Sequence, residues 1–298
     1  MNPQVVIEVP ASSANLGPGF DSLAVSLDLK LRVSVVPRGA DRVVCGGLGE
    51  GELPSDDSNL VWRSLVAACR AAGVEVPDIS LETSNHIPLE RGLGSSAAAA
   101  VAGAVLARAV TGARLSDFDL VALAARLEGH ADNAAAAAHG GLVVVVDGTP
   151  RRLEPSPALR PVICVATARQ STAEARGLLP ATVPVAVAAA NAARAAATLA
   201  GLSGAMAFDP AAMTDELHEP ARLTAMPAAQ RLVGELRRAG VGACLSGAGP
   251  SVLAILPAGD AALVETVRQV AGSDFDVRPA RWALAGAVAV RTGEEGAA

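Results

Sequence analysis

The chain has 298 residues, of which 51% are hydrophobic and 18% charged, and its net charge is −6; that balance excludes intrinsic disorder. With four Phe, two Trp and no Tyr in an acidic chain, it also lacks the basic surplus and stacking platforms of a bulk nucleic-acid binder. At about 150 residues per domain, the length allows two domains, each with an aliphatic, Ala-rich core.

In chain order, the N-terminus has no basic stretch followed by a long apolar run, so no secretory signal is read there. Residues Leu29 to Val35 alternate apolar and polar, the pattern of a half-buried strand, and Ile79 to Thr83 read similarly. Ser58 is placed as the cap of a helix running to Ala72, with Gly73 as its stop. Ser116 and Asp119 form a capping-box start for a helix ending near Gly129, and the β-branched run Gly141 to Asp147 reads as a buried strand. The Pro-rich, aperiodic stretch Gly148 to Pro161 is the best candidate for a domain junction.

Beyond it, a strand is expected over Val162 to Thr167, helices near 172–179, 184–202 and 228–239, and strands at Val241 to Leu245 and Val252 to Leu256. A helix from Asp260 and a β-rich end, Val277 to Val290, complete the pattern. Two mixed blocks without a regular βαβ rhythm favour an α+β fold. No membrane span is expected. The Ala181 to Ala200 segment is interrupted by Pro184, Asn191 and Arg194, and the run after Ser96 by Arg108. Widely spaced Cys45, Cys69, Cys164 and Cys244 read as reduced structural thiols of a cytoplasmic protein, and the four histidines show no zinc-site spacing. Lys30 is the only lysine and lies in a strand pattern. A P-loop NTPase, a protein kinase and a pyridoxal-phosphate enzyme are therefore all excluded, since each needs a lysine at its site.

Several segments carry chemistry. In PLERGLGSSAAAA, Pro88 to Ala100, a glycine-rich turn feeds a helix whose first amides lack intrahelical partners. That is a cradle for phosphates, with Ser95 and Ser96 placed to donate to phosphate or ligate Mg²⁺; a plain N-cap is the alternative. The loop Pro10 to Asp21, PASSANLGPGFD, offers Asn15 and Asp21 for an amino or hydroxyl group, unless both merely fix turns. In EGHADNAAAAAHGG, Glu128, His130, Asp132 and Asn133 crowd before a strand, where a carboxylate completes a Mg²⁺ shell or the segment is a solvated helix end. STAEAR, Ser171 to Arg176, reads as a capping box followed by an arginine, and EPAR brings Arg222 beside a helix-breaking proline. Two arginine forks suit a carboxylate. SGAGPS, Ser246 to Ser251, is a tight turn between strands or a simple hairpin.

In this order, PASSANLGPGFD, PLERGLGSSAAA, EGHADN, STAEAR, LHEPAR and LSGAGPS resemble the homoserine kinases of the GHMP small-molecule kinase superfamily over nearly the whole chain. The resemblance implies an N-terminal nucleotide-loop domain, residues 1–155, and a ferredoxin-like C-terminal domain, residues 156–298, with the active site in the cleft between them. It implies ATP phosphates over Pro88, Leu89, Glu90, Arg91, Gly92, Leu93, Gly94, Ser95, Ser96, Ala97 and Ala98, with Asn59 near the base. Mg²⁺ ligands correspond to Ser96 and Glu128. L-Homoserine is held by Asn15, Asp21, His130, Asn133, Thr172, Arg176 and Arg222, the arginines reading its carboxylate, and Gly247 and Gly249 close the cleft near the phosphates. Ser96, Glu128, Asn133 and Arg176 form the expected catalytic set. Ala24, Ala136 and Ala221 depart from the family's Gly, Pro and Tyr, the last beside Arg222. The implied partners are ATP and L-homoserine in threonine biosynthesis, with no nucleic acid and no membrane; a homodimer is left open. The alternatives are another GHMP small-molecule kinase and a catalytically inactive nucleotide sensor on the same fold.

Overall fold

The chain begins with two long antiparallel strands, β1 (Gln4–Ala14) and β2 (Leu23–Val36), whose inward side chains Ile7, Val9, Leu27 and Val33 are fully buried. The structure is a computed structural model and describes residues 4–292. Next come β3 (Val43–Gly47), α1 (Leu60–Ala72) and β4 (Ser80–Asn85). Three helices follow, α2 (Ser95–Thr111), α3 (Asp117–Glu128) and α4 (Asp132–His139), and then the hairpin β5 (Leu142–Val146) and β6 (Thr149–Leu153). The second half contains β7 (Leu159–Ala166), α5 (Thr172–Gly177), α6 (Val185–Leu202), α7 (Glu219–Thr224) and α8 (Pro227–Arg238). It ends with β8 (Gly242–Leu245), β9 (Val252–Pro257), α9 (Ala261–Ala271), β10 (Phe275–Pro279) and β11 (Val288–Thr292).

These strands form two sheets, as the α+β expectation requires. The first has seven strands, five in the path β11-β1-β2-β4-β3 and the hairpin β5–β6 branching from it; β2 is long enough to pair with β4 through its second half and with β5 through its first. The second is a four-stranded antiparallel sheet in the order β10-β7-β9-β8. With α9 crossing between β9 and β10, this is the split βαβ arrangement of a ferredoxin-like domain, its first crossover enlarged by α5 to α8. The β-rich C-terminus serves both sheets, because β10 pairs with β7 while β11 returns to β1.

Several local expectations needed correction. Helix α1 is capped by Asn59, whose side chain accepts from Val61 N, and not by Ser58; Gly73 ends it as expected. Gly148 to Pro161 is not structureless, since Asp147 and Gly148 make a positive-φ turn leading into β6. An Asp-Gly pair between β-branched runs is a hairpin signal, and the prolines obscured it. Val146, at the far end of β5, is exposed. Pro220 does not break a helix but occupies the first turn of α7, where its missing N–H costs nothing. Helix α6 is uninterrupted, because Pro184 sits at its cap. Among the described residues it is the one helix whose 18-residue length and mean hydropathy of 1.4 suit a membrane crossing. Asn191, with its side chain bonded to Pro18 O, and Thr198, bonded to Ala212 O, tie it to the protein.

The first sheet packs on α1 to α4 around α2, which is buried on nearly every side and composed mainly of alanine. Small side chains let α1 and α2 approach closely. At Gly103 a Cβ would lie 2.1 Å from the Val61 carbonyl oxygen. Alanine normally stabilises a helix interior by about 1 kcal/mol over glycine. Gly103→Ala is nonetheless expected to destabilise the protein by about 1–3 kcal/mol through overpacking, read as a lower urea midpoint; an unchanged or raised midpoint would contradict this packing.

Candidate active site

Helix α2 begins at Ser95 behind Gly94, a left-handed residue that makes no side-chain cap. Neither serine therefore serves as the N-cap, and the first amides of the helix remain available to an anion. The turn that precedes it is held by Ser12 N donating to Leu93 O at 3.2 Å. Ser96 Oγ donates to Glu128 Oε2 at 2.5 Å, which joins the start of α2 to the end of α3. Burial raises the Glu128 carboxyl above its ordinary pKa, while the Ser96 hydrogen bond draws it back.

The second glycine turn, Ser246 to Ser251, connects β8 to β9 and is pressed against the first. Ser246 Oγ lies 2.7 Å from Gly92 O and 2.8 Å from Ser13 Oγ, and Gly247 N donates to Ala14 O at 3.1 Å. Ser246 N to Ser251 O at 2.9 Å closes a hairpin, so the simple reading of this turn is also correct. Arg91 fastens the same junction by donating to Ala166 O and Thr167 O.

Between these turns and the β1–β2 loop lies a cavity of about 540 Å³. All the expected site residues line it except Ala98 and Gly249. Ala98 is buried under the turn with its amide bonded to Gly94 O, and Gly249 packs toward Met226. Asn59 reaches the cavity, but its amide group donates to Pro54 O at 2.7 Å and Cys45 Sγ at 3.5 Å. Asn15 is spent on backbone: Oδ1 accepts from Asp21 N at 3.0 Å and Nδ2 donates to Gly247 O at 2.8 Å. Asn133 Oδ1 accepts from Ser12 Oγ at 2.8 Å. His130 Nδ1 lies 3.2 Å from Asp132 Oδ1 without the alignment of a hydrogen bond, and the adjacent carboxylate raises the imidazole pKa.

At the opposite end, Ser171 caps α5 through a capping box with Glu174, placing Thr172 at the helix start and Arg176 in its last turn. Arg176 Nη2 lies 2.8 and 3.0 Å from the two Asp21 oxygens, and both side chains are about two-fifths exposed. Arg222 is 2% exposed, among the largest fully enclosed side chains in the protein. Phe20 lies between the two arginines, its ring 5.6 Å from the Arg176 guanidinium and 5.4 Å from that of Arg222.

Sequence reasoning overlooked Phe20, His218 and Asp215. His218 stacks on Phe20 at 5.1 Å and contacts Arg222 at 3.1 Å, and Asp215 Oδ2 accepts from the amides of Leu217, His218 and Glu219 at the start of α7. The i, i+4 spacing of His218 and Arg222 was the available signal. Arg169 and Glu52, 2.5 and 3.0 Å apart, form an ion pair at the cavity edge that was not anticipated either. Lys30 is far from this chemistry, paired with Glu8 on the strands at 2.8 Å. The four cysteines are free, and burial pushes the Cys164 thiol up to about 12.

The family model for the GHMP kinases N terminal domain matches residues 59–141, and that for GHMP kinases C terminal matches residues 186–269. A homoserine kinase of Leifsonia xyli subsp. xyli is 44% identical, covering 84% of this chain and 80% of its own. That of Streptomyces coelicolor is 43% identical over 91% and 89%. Among solved structures, the homoserine kinase of Cytophaga hutchinsonii superposes with a TM-score of 0.84 at 27% identity, covering 97% of this chain and 98% of that one. A mevalonate kinase with a TM-score of 0.68 and 15% identity, covering 93% and 99%, shares the fold.

The contact between the two glycine turns is directly testable. Gly92 has φ +70°, and a Cβ there would lie 2.0 Å from Ser246 O. Gly92→Ala is expected to cost about 1–3 kcal/mol of stability and to weaken nucleotide binding, measured by thermal unfolding and calorimetry. Wild-type values for both would show that the turns do not depend on this approach.

Proposed function

The chain belongs to the homoserine kinases of the GHMP kinase family, and on that premise we propose how its cleft carries the transfer of the ATP γ-phosphoryl group to the hydroxyl of L-homoserine. The observation that carries the assignment of parts is the placing, in one cavity, of an uncapped helix start at one end and two arginines at the other. We place the boundary between the nucleotide-loop and C-terminal domains at residues 155 and 156, while β11 joins the first sheet. Pro88 to Ala97 cradle the phosphates through the turn and the free amides of α2. Leu53, Pro54, Asn59 and Leu89 wall the base.

Ser96 and Glu128 suit Mg²⁺, because a hydroxyl and a carboxylate already meet where the phosphates would lie. Among the described residues no group of three or more His, Cys, Asp or Glu side chains is gathered for a metal, so the remaining ligands would be phosphate and water oxygens. When bound, Mg²⁺ neutralises charge on the phosphates. Phosphoryl transfer through a loose transition state asks the protein chiefly for positioning and charge stabilisation. Arginine and backbone amides supply both here without a lysine.

Homoserine is a zwitterion. Asp21 and Arg176 form an ion pair, so the substrate's ammonium and carboxylate can insert between them, each meeting its opposite charge. Arg222 provides the second fork on the carboxylate, with Thr172 and His130 beside it. Ser12 occupies Asn133 Oδ1, which leaves the Asn133 amide to donate toward the hydroxyl and the transferring group. The hydroxyl proton leaves late, toward a phosphate oxygen, and no dedicated base is required. Free thiols fit a cytoplasmic site of action.

Two experiments test this reading. Glu128→Gln should lower kcat roughly 10²-fold, about 3 kcal/mol, by removing a ligand that stabilises charge; near-normal turnover at saturating Mg²⁺ would exclude the role. Arg176→Met and Arg222→Met, assayed by ADP release, should each lower kcat/KM for homoserine roughly 10- to 150-fold while shrinking discrimination against homoserine carboxamide. Discrimination as strong as the parent's in both variants would place carboxylate recognition elsewhere.

A further inference from the structure

Arg222 is a charged side chain only 2% exposed, yet it lines the cavity. A guanidinium has five N–H donors. Nε donates to Ala175 O at 3.4 Å, and Nη1 reaches Gly247 O at 3.3 Å and His218 Nδ1 at 3.1 Å. Nη2 has no protein partner among the described residues, and Arg222 lines the cavity. The Phe20 ring covers the guanidinium.

His218 is fully buried, and its two nitrogens face groups of fixed character. Nε2 lies 2.9 Å from Gly17 O, which can only accept, and Nδ1 faces Arg222 Nη1, which can only donate. Both contacts are satisfied by one species, the neutral ring protonated on Nε2. Asp215 Oδ2, 3.6 Å from Nε2, is already committed to three amides. Burial lowers the imidazole pKa, as does Arg222, against the opposing charge of Asp215, so the neutral ring is the favoured form.

We propose that His218 is a positioning residue for Arg222: its unprotonated Nδ1 anchors one guanidinium arm while its Nε2–H holds the Gly17 loop, so that Nη2 is presented to the substrate carboxylate. This rests on the reading of Arg222 as a carboxylate fork. The imidazole never touches substrate. It converts an arginine with many rotamers into a fixed fork, and because Phe20 stacks on the same ring, it also sets the spacing between Arg222 and the Asp21–Arg176 pair.

Two substitutions separate the contacts, since asparagine places an acceptor near Nδ1 and glutamine places a donor near Nε2. His218→Asn is expected to keep homoserine KM within about 3-fold of the parent, whereas His218→Gln and His218→Leu raise it roughly 10- to 150-fold, with ATP KM and kcat little changed. A parent-like His218→Gln beside a weakened His218→Asn would overturn the proposal, as would ATP KM rising as much as homoserine KM. Long-range ¹H–¹⁵N spectra of the parent enzyme at neutral pH provide a test that needs no His218 variant to fold. After assignment through variants of the other three histidines, one buried ring should be protonated on Nε2 alone, and a doubly protonated or Nδ1-protonated ring would refute the anchor. If the parent itself released no ADP on adding homoserine, the functional reading would fail; normal parent activity with unmoved homoserine KM in all folded His218 variants would fail this inference alone.

Discussion

Two glycine turns pressed backbone to backbone hold the active site together. Gly92, in front of α2, faces Ser246 and Gly249, in the turn between β8 and β9, at a separation that leaves no room for a Cβ. The contact joins the turn that opens α2, beside the first sheet, to a hairpin of the second. Ser246 fastens it by hydrogen bonds to both Gly92 and Ser13, and Gly247 extends it to Ala14. Gly247 O then accepts from both Asn15 and Arg222, so the same turn that meets the start of α2 also fixes two further residues of the cavity wall.

The charges of the site are divided by depth. Asp21 and Arg176 meet near the surface, where their mutual attraction is screened and a zwitterion can displace it at little cost. Arg222 is buried, where an unpaired charge would be expensive; Gly247 O, Ala175 O, the His218 ring and the Phe20 face share the load. Behind it, Glu219 is fully buried against Arg237, 2.5 Å away, and accepts from Leu245 N at 2.7 Å, linking α7 and α8 to the strand that carries the second glycine turn. Burial raises the Glu219 carboxyl pKa, with Arg237 opposing the shift. The short helix that carries Arg222 is thereby locked to the sheet, and this compensates for the few contacts a six-residue helix makes alone.

Local signals were reliable where their cause is local. The alternation of β2, the capping boxes of α3 and α5, the start of α9 at Asp260 and the glycine stop of α1 all follow from interactions within a few residues, and the structure contains each. Errors arose where neighbouring residue types competed. Asn59 displaced Ser58 as a cap, Asp147–Gly148 formed a hairpin despite nearby prolines, and Pro220 opened a helix. In each case two signals competed within a few residues, and residue type alone did not rank them.

By itself, the sequence determined an α+β chain with a glycine turn opening a helix, acids before β5, and Arg176 and Arg222 in its second half, because helix starts, turns and charge types are properties of short segments. It also excluded lysine-dependent phosphate chemistry. Only the tertiary structure decided that Asn15 serves backbone groups, that Asp21 and Arg176 are already paired, and that His218 and Phe20 stand behind Arg222. These outcomes unite residues up to 232 positions apart. Their physical reason is burial: once β1, α7 and the β8–β9 turn exclude water from the same volume, the polar groups there pair with whatever the packing brings near.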